Sequence, residues 1–315
     1  MSIFPTKILL ATDGSQEAET AAATAINVAK STHSELHVLT VGPGSPSYDV
    51  RIPEVAEELR RQAQEILDEQ VKKIEQSGGK VAQVHLRLAE HHPGFEHHPS
   101  DDVVRVAEEI GAGLIVLGSR GLGGIRRALM GSVSDSVVRH AHCPVLVVRG
   151  APTTFPTKIL VASDGSKDAE LAATSAADLA RSTGSELHVV TVFPGSAYVH
   201  PYYEVRFPEA AERLRREAQE ERQQMLDEQV ERLRKAGKDV AQTHIRAGEA
   251  AKEIVALAEE VGAGLVDMGS HGLGGIRRAL IGSVSAAVVT HAHCPVMVVR
   301  QEKERSVEHQ ANFLT

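Results

Sequence analysis

Gly118-Ser-Arg-Gly-Leu-Gly-Gly-Ile-Arg-Arg-Ala-Leu-Met-Gly131-Ser132 recurs 151 residues later as Gly269-Ser-His-Gly-Leu-Gly-Gly-Ile-Arg-Arg-Ala-Leu-Ile-Gly282-Ser283. From Gly118 to Arg149 and from Gly269 to Arg300, 26 of 32 positions are identical. Each copy follows an apolar run, Leu114–Leu117 or Leu265–Met268, and precedes a helical pattern. A strand, a glycine loop and a helix start in that order form an anion cradle. The glycines let the backbone approach a phosphate, and the first N–H groups of the helix face it.

The repeat extends outward. Phe4-Pro-Thr-Lys-Ile-Leu-Leu-Ala-Thr-Asp-Gly-Ser15 returns as Phe155-Pro-Thr-Lys-Ile-Leu-Val-Ala-Ser-Asp-Gly-Ser166, at the same offset. The chain of 315 residues therefore reads as a duplicated domain, residues 1–150 and 155–300, with a polar tail at 301–315. A period this long excludes a solenoid, whose units run to about 20–50 residues. A net charge of −8 with mixed signs argues against nucleic acid as partner. The absence of Trp and an aromatic content of 3% argue against a base-stacking platform. No apolar run approaches the roughly 18 residues of a membrane span. With strand pattern from the first residues, the expected location is the cytoplasm.

Periodicity gives each half the order β-α-β-α-β-α-β-α-β. In the first half the strands are expected at Lys7–Thr12, Glu35–Val41, Val81–Leu88, Leu114–Leu117 and Pro144–Val148. Helices are expected at Ser15–Ser31, capped by Ser15, then at Pro53–Gln76, Asp101–Ile110 and from Gly131-Ser132 to about His142. The second half has two four-residue insertions, near Tyr198–Tyr202 and Glu220–Gln224. The first half has eight extra residues around His91–Pro99. Alternating elements with apolar strands predict two α/β domains, each a doubly wound, five-stranded parallel sheet with helices on both faces. Ligands in such sheets sit beyond the strand C-termini where strand order reverses, here after the first and fourth strands.

The chain resembles the tandem-domain universal stress proteins, from first strand to fifth in both halves. ATP-binding members carry Gly-x2-Gly-x9-Gly-(Ser/Thr), completed here by Gly118, Gly121, Gly131 and Ser132 and by Gly269, Gly272, Gly282 and Ser283. The resemblance implies an adenine nucleotide alpha hydrolase-like fold and one ATP site per domain, with Mg2+ or Mn2+ held mainly by phosphate oxygens and water. Ala11, Asp13, Ala162 and Asp164, at the first strand ends, would face the ribose. Val41 and Val192 would present backbone to the adenine edge. Ser119, Arg120, Gly121, Gly131, Ser132, Val133 and Ser134 would surround the phosphates, as would Ser270, His271, Gly272, Gly282, Ser283, Val284 and Ser285. Arg126, Arg127, Arg277 and Arg278 could add charge to the phosphates, face solvent or contact the partner domain. Arg120 against His271 suggests unequal sites.

Phosphate-loop ATPase, protein-kinase and catalytic-triad signatures are absent, so ATP is expected as a regulatory ligand and not as a turned-over substrate. The alternatives are a slow ATPase or nucleotidyl-transfer enzyme, and an interaction protein binding AMP or no nucleotide. His140-Ala-His142-Cys143 and its repeat look like metal ligands, but helix residues two apart diverge by about 200°. The group His91, His92, Glu96, His97 and His98 reads as a solvated loop. Cys143 and Cys294 are expected to be free thiols; a bond would require their strands to meet across a domain interface. Val145–Val148 and Val296–Val299 are expected to be apolar sheet edges that pair with each other, directly or across chains, making a pseudo-dimer and allowing a homodimer of chains.

Overall fold

The computed structural model describes residues 3–43, 53–89, 98–121, 130–150, 158–193, 201–272 and 281–300. The first half contains β1 (Lys7–Ala11), α1 (Gln16–Thr32), β2 (Glu35–Gly42), α2 (Pro53–Gln76), β3 (Val81–Leu88), α3 (Pro99–Ile110), β4 (Leu114–Gly118), α4 (Ser132–His140) and β5 (Val145–Val148). The second contains β6 (Lys158–Ala162), α5 (Lys167–Thr183), β7 (Glu186–Phe193), α6 (Pro201–Arg206), α7 (Pro208–Lys235), β8 (Gln242–Ala247), α8 (Ala250–Val261), β9 (Leu265–Gly269), α9 (Ser283–His291) and β10 (Val296–Val299). The expected elements are present with ends moved by one to two residues. The insertion near Tyr198–Tyr202 contributes the short helix α6, which periodicity did not announce.

The two halves share one sheet, in the order β3-β2-β1-β4-β5-β10-β9-β6-β7-β8. Pairing is parallel within each half and antiparallel only between β5 and β10. The expected apolar edges therefore pair directly. Leu146 faces Met297, its own repeat equivalent, with Val145 and Val147 opposite Val298 and Val296. That register puts a pseudo-twofold axis through the Leu146–Met297 pair.

Strands buried on both faces divide the core in two. Ile8 and Leu10 join α1, α2, α5 and α7 on one face, while Leu9 joins α3, α4, α8 and α9 on the other. α1 and α5 are rich in buried alanine (Ala21, Ala22, Ala25; Ala172, Ala173, Ala176), which lets them approach the sheet and each other closely. Ser15 and Ser166 cap them, each Oγ accepting from the backbone N–H three residues on at 3.3 Å. Neither cysteine forms a disulfide, although their strands do meet across the domain interface. Burial pushes the Cys294 thiol up to about 12, so it behaves as a small core residue.

An imidazole pair recurs between the outermost strands of each half. Nδ1 of His37 lies 3.1 Å from Nε2 of His85, and Nδ1 of His188 lies 3.1 Å from Nε2 of His244. Desolvation holds His37, His85 and His244 below the ordinary value of 6.5. Lys7 adds to this at His37 and Glu35 opposes it, while Arg87 and Glu109 play those parts at His85. A depressed imidazole means that the unfolded chain takes up protons first. Stability is therefore present above pH 6.5 and is lost as pH falls through the folded values. Replacing His85 and His244 with Gln should flatten the decline of melting temperature with acidification below about 6.5. A slope equal to that of the parent would show that the pairs do not titrate in this way.

Candidate functional site

Strand order reverses between β1 and β4, and a cavity of about 700 Å³ opens at their C-terminal ends. The structure brings Ala11, Asp13, Val41, Gly118, Arg120, Gly121, Gly131, Ser132, Val133 and Ser134 into its wall. Its apolar lining comes from Leu39 and Val41 of β2, Leu117 of β4, and Pro99 and Val103 of α3. The start of α4 also opens onto it. Gly131 is its N-cap, and no side chain caps the helix. The same holds at Gly282 before α9. α1 and α5, by contrast, carry serine caps; the helices at the glycine loops start without one and leave their first N–H groups open to an external acceptor.

Asp13 starts this arrangement. Its Oδ1 accepts from the Ser15 N–H at 3.0 Å, which fixes the turn into α1. Its Oδ2 lies against Gly121, where an added Cβ would overlap it. Asp164 repeats both features with Ser166 and Gly272. A residue larger than glycine at the second motif position would displace the carboxylate, which explains the Gly-x2-Gly spacing in terms of this structure.

The serines divide. Ser132 and Ser283 are exposed at the helix starts. Ser119 and Ser270 are fully buried and donate to Glu17 and Asp168 at 2.8 Å. Ser134 and Ser285 are buried and donate to the carbonyls of Gly118 and Gly269 at 2.7 and 2.8 Å. The side chains of these four serines are thus spent on tying strand end to helix. Arg120 approaches Glu17 at 3.6 Å, while Nδ1 of His271 lies 3.6 Å from Asp168 Oδ2 and 2.8 Å from Ser270 Oγ. In the second half, Ala162 ends β6, Val192 lies near the end of β7, and Val284 follows Ser283 on α9.

Several wall residues carried no advance signal, among them Leu39, Val103, Met130 and Asp135. Thr290 is the most informative of these, because it comes from α9 of the other half. Arg126, Arg127, Arg277 and Arg278 lie outside the described residues, as do His91, His92, Glu96 and His97. His98 caps α3, its Nδ1 2.8 Å from the Ser100 hydroxyl. His142 pairs with Glu108 at 2.7 Å. Among the described residues no group of three or more ligating side chains could hold a metal ion. No helix among them is long and apolar enough to cross a membrane.

Two reversed-order halves, each ending a glycine strand at an open helix, define a tandem doubly wound α/β protein. The model of the universal stress protein family matches residues 5–149 and 156–300, and the chain belongs to that family. A universal stress protein of Mycobacterium tuberculosis is 35% identical over 208 residues, 64% of this chain and 66% of that relative. One from Methanocaldococcus jannaschii is 37% identical over 149 residues, 45% of this chain and 81% of the relative. Among solved structures, a universal stress protein from Archaeoglobus fulgidus superposes with a TM-score of 0.65 at 25% identity, covering 96% of this chain and 98% of that one.

Proposed function

We propose that each domain binds ATP, with Mg2+ or Mn2+, as a regulatory ligand. The observation that carries this reading is the composition of the domain-one cavity. Its size suits a nucleotide, since small-molecule sites run to about 300–1,000 Å³. Its apolar lining of Leu39, Val41 and Val103 suits a base. Asp13 stands where ribose hydroxyls would donate, and Gly121, Gly131 and the first N–H groups of α4 suit phosphates. Arg120 supplies positive charge in the same wall.

When bound, the cation would neutralise phosphate charge, held by phosphate oxygens and water. The chain's own residues bind and orient. The alternatives differ in outcome: a slow ATPase or nucleotidyl transferase would turn ATP over, and an interaction protein would carry AMP or nothing. The deciding experiment is to denature purified protein and identify the nucleotide released. ATP near two equivalents per chain is expected, with hydrolysis by the native protein far below the roughly 1–10³ s⁻¹ of evolved enzymes. AMP alone, or no nucleotide with no binding of added ATP·Mg, would overturn the reading.

A further inference from the structure

The two arginines that close the repeats, Arg149 after β5 and Arg300 after β10, reach across the pseudo-twofold axis. Nη1 of Arg300 donates to the carbonyls of Arg139 at 2.9 Å and Ala141 at 3.2 Å, and Nη2 to that of Val138 at 3.3 Å. These lie in the last turn of α4 and its C-cap, where a helix has orphan acceptors. Arg149 returns the arrangement, its Nη1 donating to the Thr290 carbonyl near the end of α9. Arg300 is also anchored at its own domain's glycine strand, its Nε lying 3.4 Å from Ser270 Oγ. Thr290 itself enters the wall of the domain-one cavity.

We infer that the nucleotide sites are assembled in trans: Arg300 of domain two is a positioning residue for the domain-one site, and Arg149 for the domain-two site. This rests on the nucleotide reading above. α4 has only nine residues, a length that is marginal without tertiary support. Its N-terminal N–H groups serve the ligand while its C-terminal carbonyls are held by the other domain's guanidinium. A cation at one end and an anion at the other both favour the same helix dipole. Removing the cation frays the helix from its far end and loosens the donors at the near end. Because Arg300 also touches its own domain's glycine strand, occupancy of one site is linked to the other, and such linkage is reciprocal. Nε and Nη2 of Arg149 are buried without a hydrogen-bond partner among the described residues, so Arg149 is the less fully bonded of the two.

The test measures ATP·Mg affinity in single-site proteins. In a Gly282→Val background, which leaves the domain-one site to report, Arg300→Ala should weaken binding on the order of tenfold. In a Gly131→Val background the same change should cost the domain-two site less. Arg300→Lys, which keeps the charge without the fork, should fall between and serves if Arg300→Ala does not fold. Amide exchange of residues 136–140 in nucleotide-free protein should quicken in Arg300→Ala while that of 254–258 in α8 does not. Full affinity at the domain-one site, or a loss confined to domain two, would overturn the inference. If the Gly282→Val parent itself binds no ATP, the nucleotide reading has failed for that site. Unchanged exchange of 136–140 would then still refute the positioning role.

Discussion

Gly131→Val is expected to abolish nucleotide binding at the domain-one site and lower the binding stoichiometry from two to one, with little change in fold stability. Gly131 sits at φ −67° and ψ 150°, a conformation open to any L residue. A Cβ there would meet Arg120 Cα and Ser119 O at 3.4 Å, ordinary van der Waals contact. The protein therefore tolerates the first added carbon, and the bulk projects at the open start of α4, where a phosphate must touch backbone. Overpacking a close contact costs about 1–3 kcal/mol, and each lost hydrogen bond to a charged group about 1.5–3. Together they predict at least about a hundredfold loss. Gly282→Val should do the same in domain two, although Ser270 O stands at 3.2 Å and some local adjustment accompanies it. Gly121→Ala acts by another route, pushing Asp13 from its place. Calorimetry on each variant, paired with thermal melts, checks all three. Two sites of parental affinity in Gly131→Val would remove α4 as the phosphate site.

Much of this was legible in the residues because the repeat does two things at once. It marks the domain boundary, and it separates the glycine loop from positions free to vary. The strand alternation and the Ser15 cap placed β1 and α1 within a residue. The pairing of β5 with β10 was expected, directly or across chains, from two apolar edges that had to be covered; its register was not. What was not legible is what depends on tertiary proximity. Thr290 reaches the domain-one cavity only because the axis brings α9 there. Of the six positions that differ between Gly118–Arg149 and Gly269–Arg300, three place a first-half residue in the cavity wall: Arg120, Met130 and Asp135. A fourth, the pair Arg139 and Thr290, contributes its second-half member. In the sequence, Arg120 against His271 was the one difference that suggested unequal sites. The structure shows variation spread around the same cavity wall. The serines went the other way: Ser119 and Ser134 look like ligands in the motif, yet their hydroxyls bond Glu17 and the Gly118 carbonyl.

Asp267→Val is expected to stabilise the protein substantially, and more so at neutral than at acid pH. Asp267 stands in the middle of β9, between Met297 of β10 and Val161 of β6, where the first repeat has Val116. It is completely buried, and neither carboxyl oxygen has a hydrogen-bond partner among the described residues. By strand alternation it shares the face of Leu265, within the core formed with α5. Desolvation raises its carboxyl well above the usual 3.8, and the polarity of the adjacent Met268 backbone N–H opposes this only in part. The folded group is therefore neutral where the unfolded one is ionised. A raised folded value contributes stability that is fully present below pH 3.8 and lost as pH rises toward the folded value. Within that window the loss is about 1.4 kcal/mol per pH unit. Valine has no such dependence, is the residue the first repeat holds at this position, and removes an unsatisfied polar group worth about 1–3 kcal/mol. The gain over the parent should be on the order of 2 kcal/mol at pH 4, from the unsatisfied polarity, and larger at pH 7. Denaturant melts at the two pH values measure it, with the His pairs common to both proteins and cancelling in the difference. Asp267→Asn, which keeps the unsatisfied polarity but cannot ionise, should recover the pH-dependent part alone. Equal stability of parent and Asp267→Val at pH 7 would mean that the carboxyl has a partner or water access that lowers its cost.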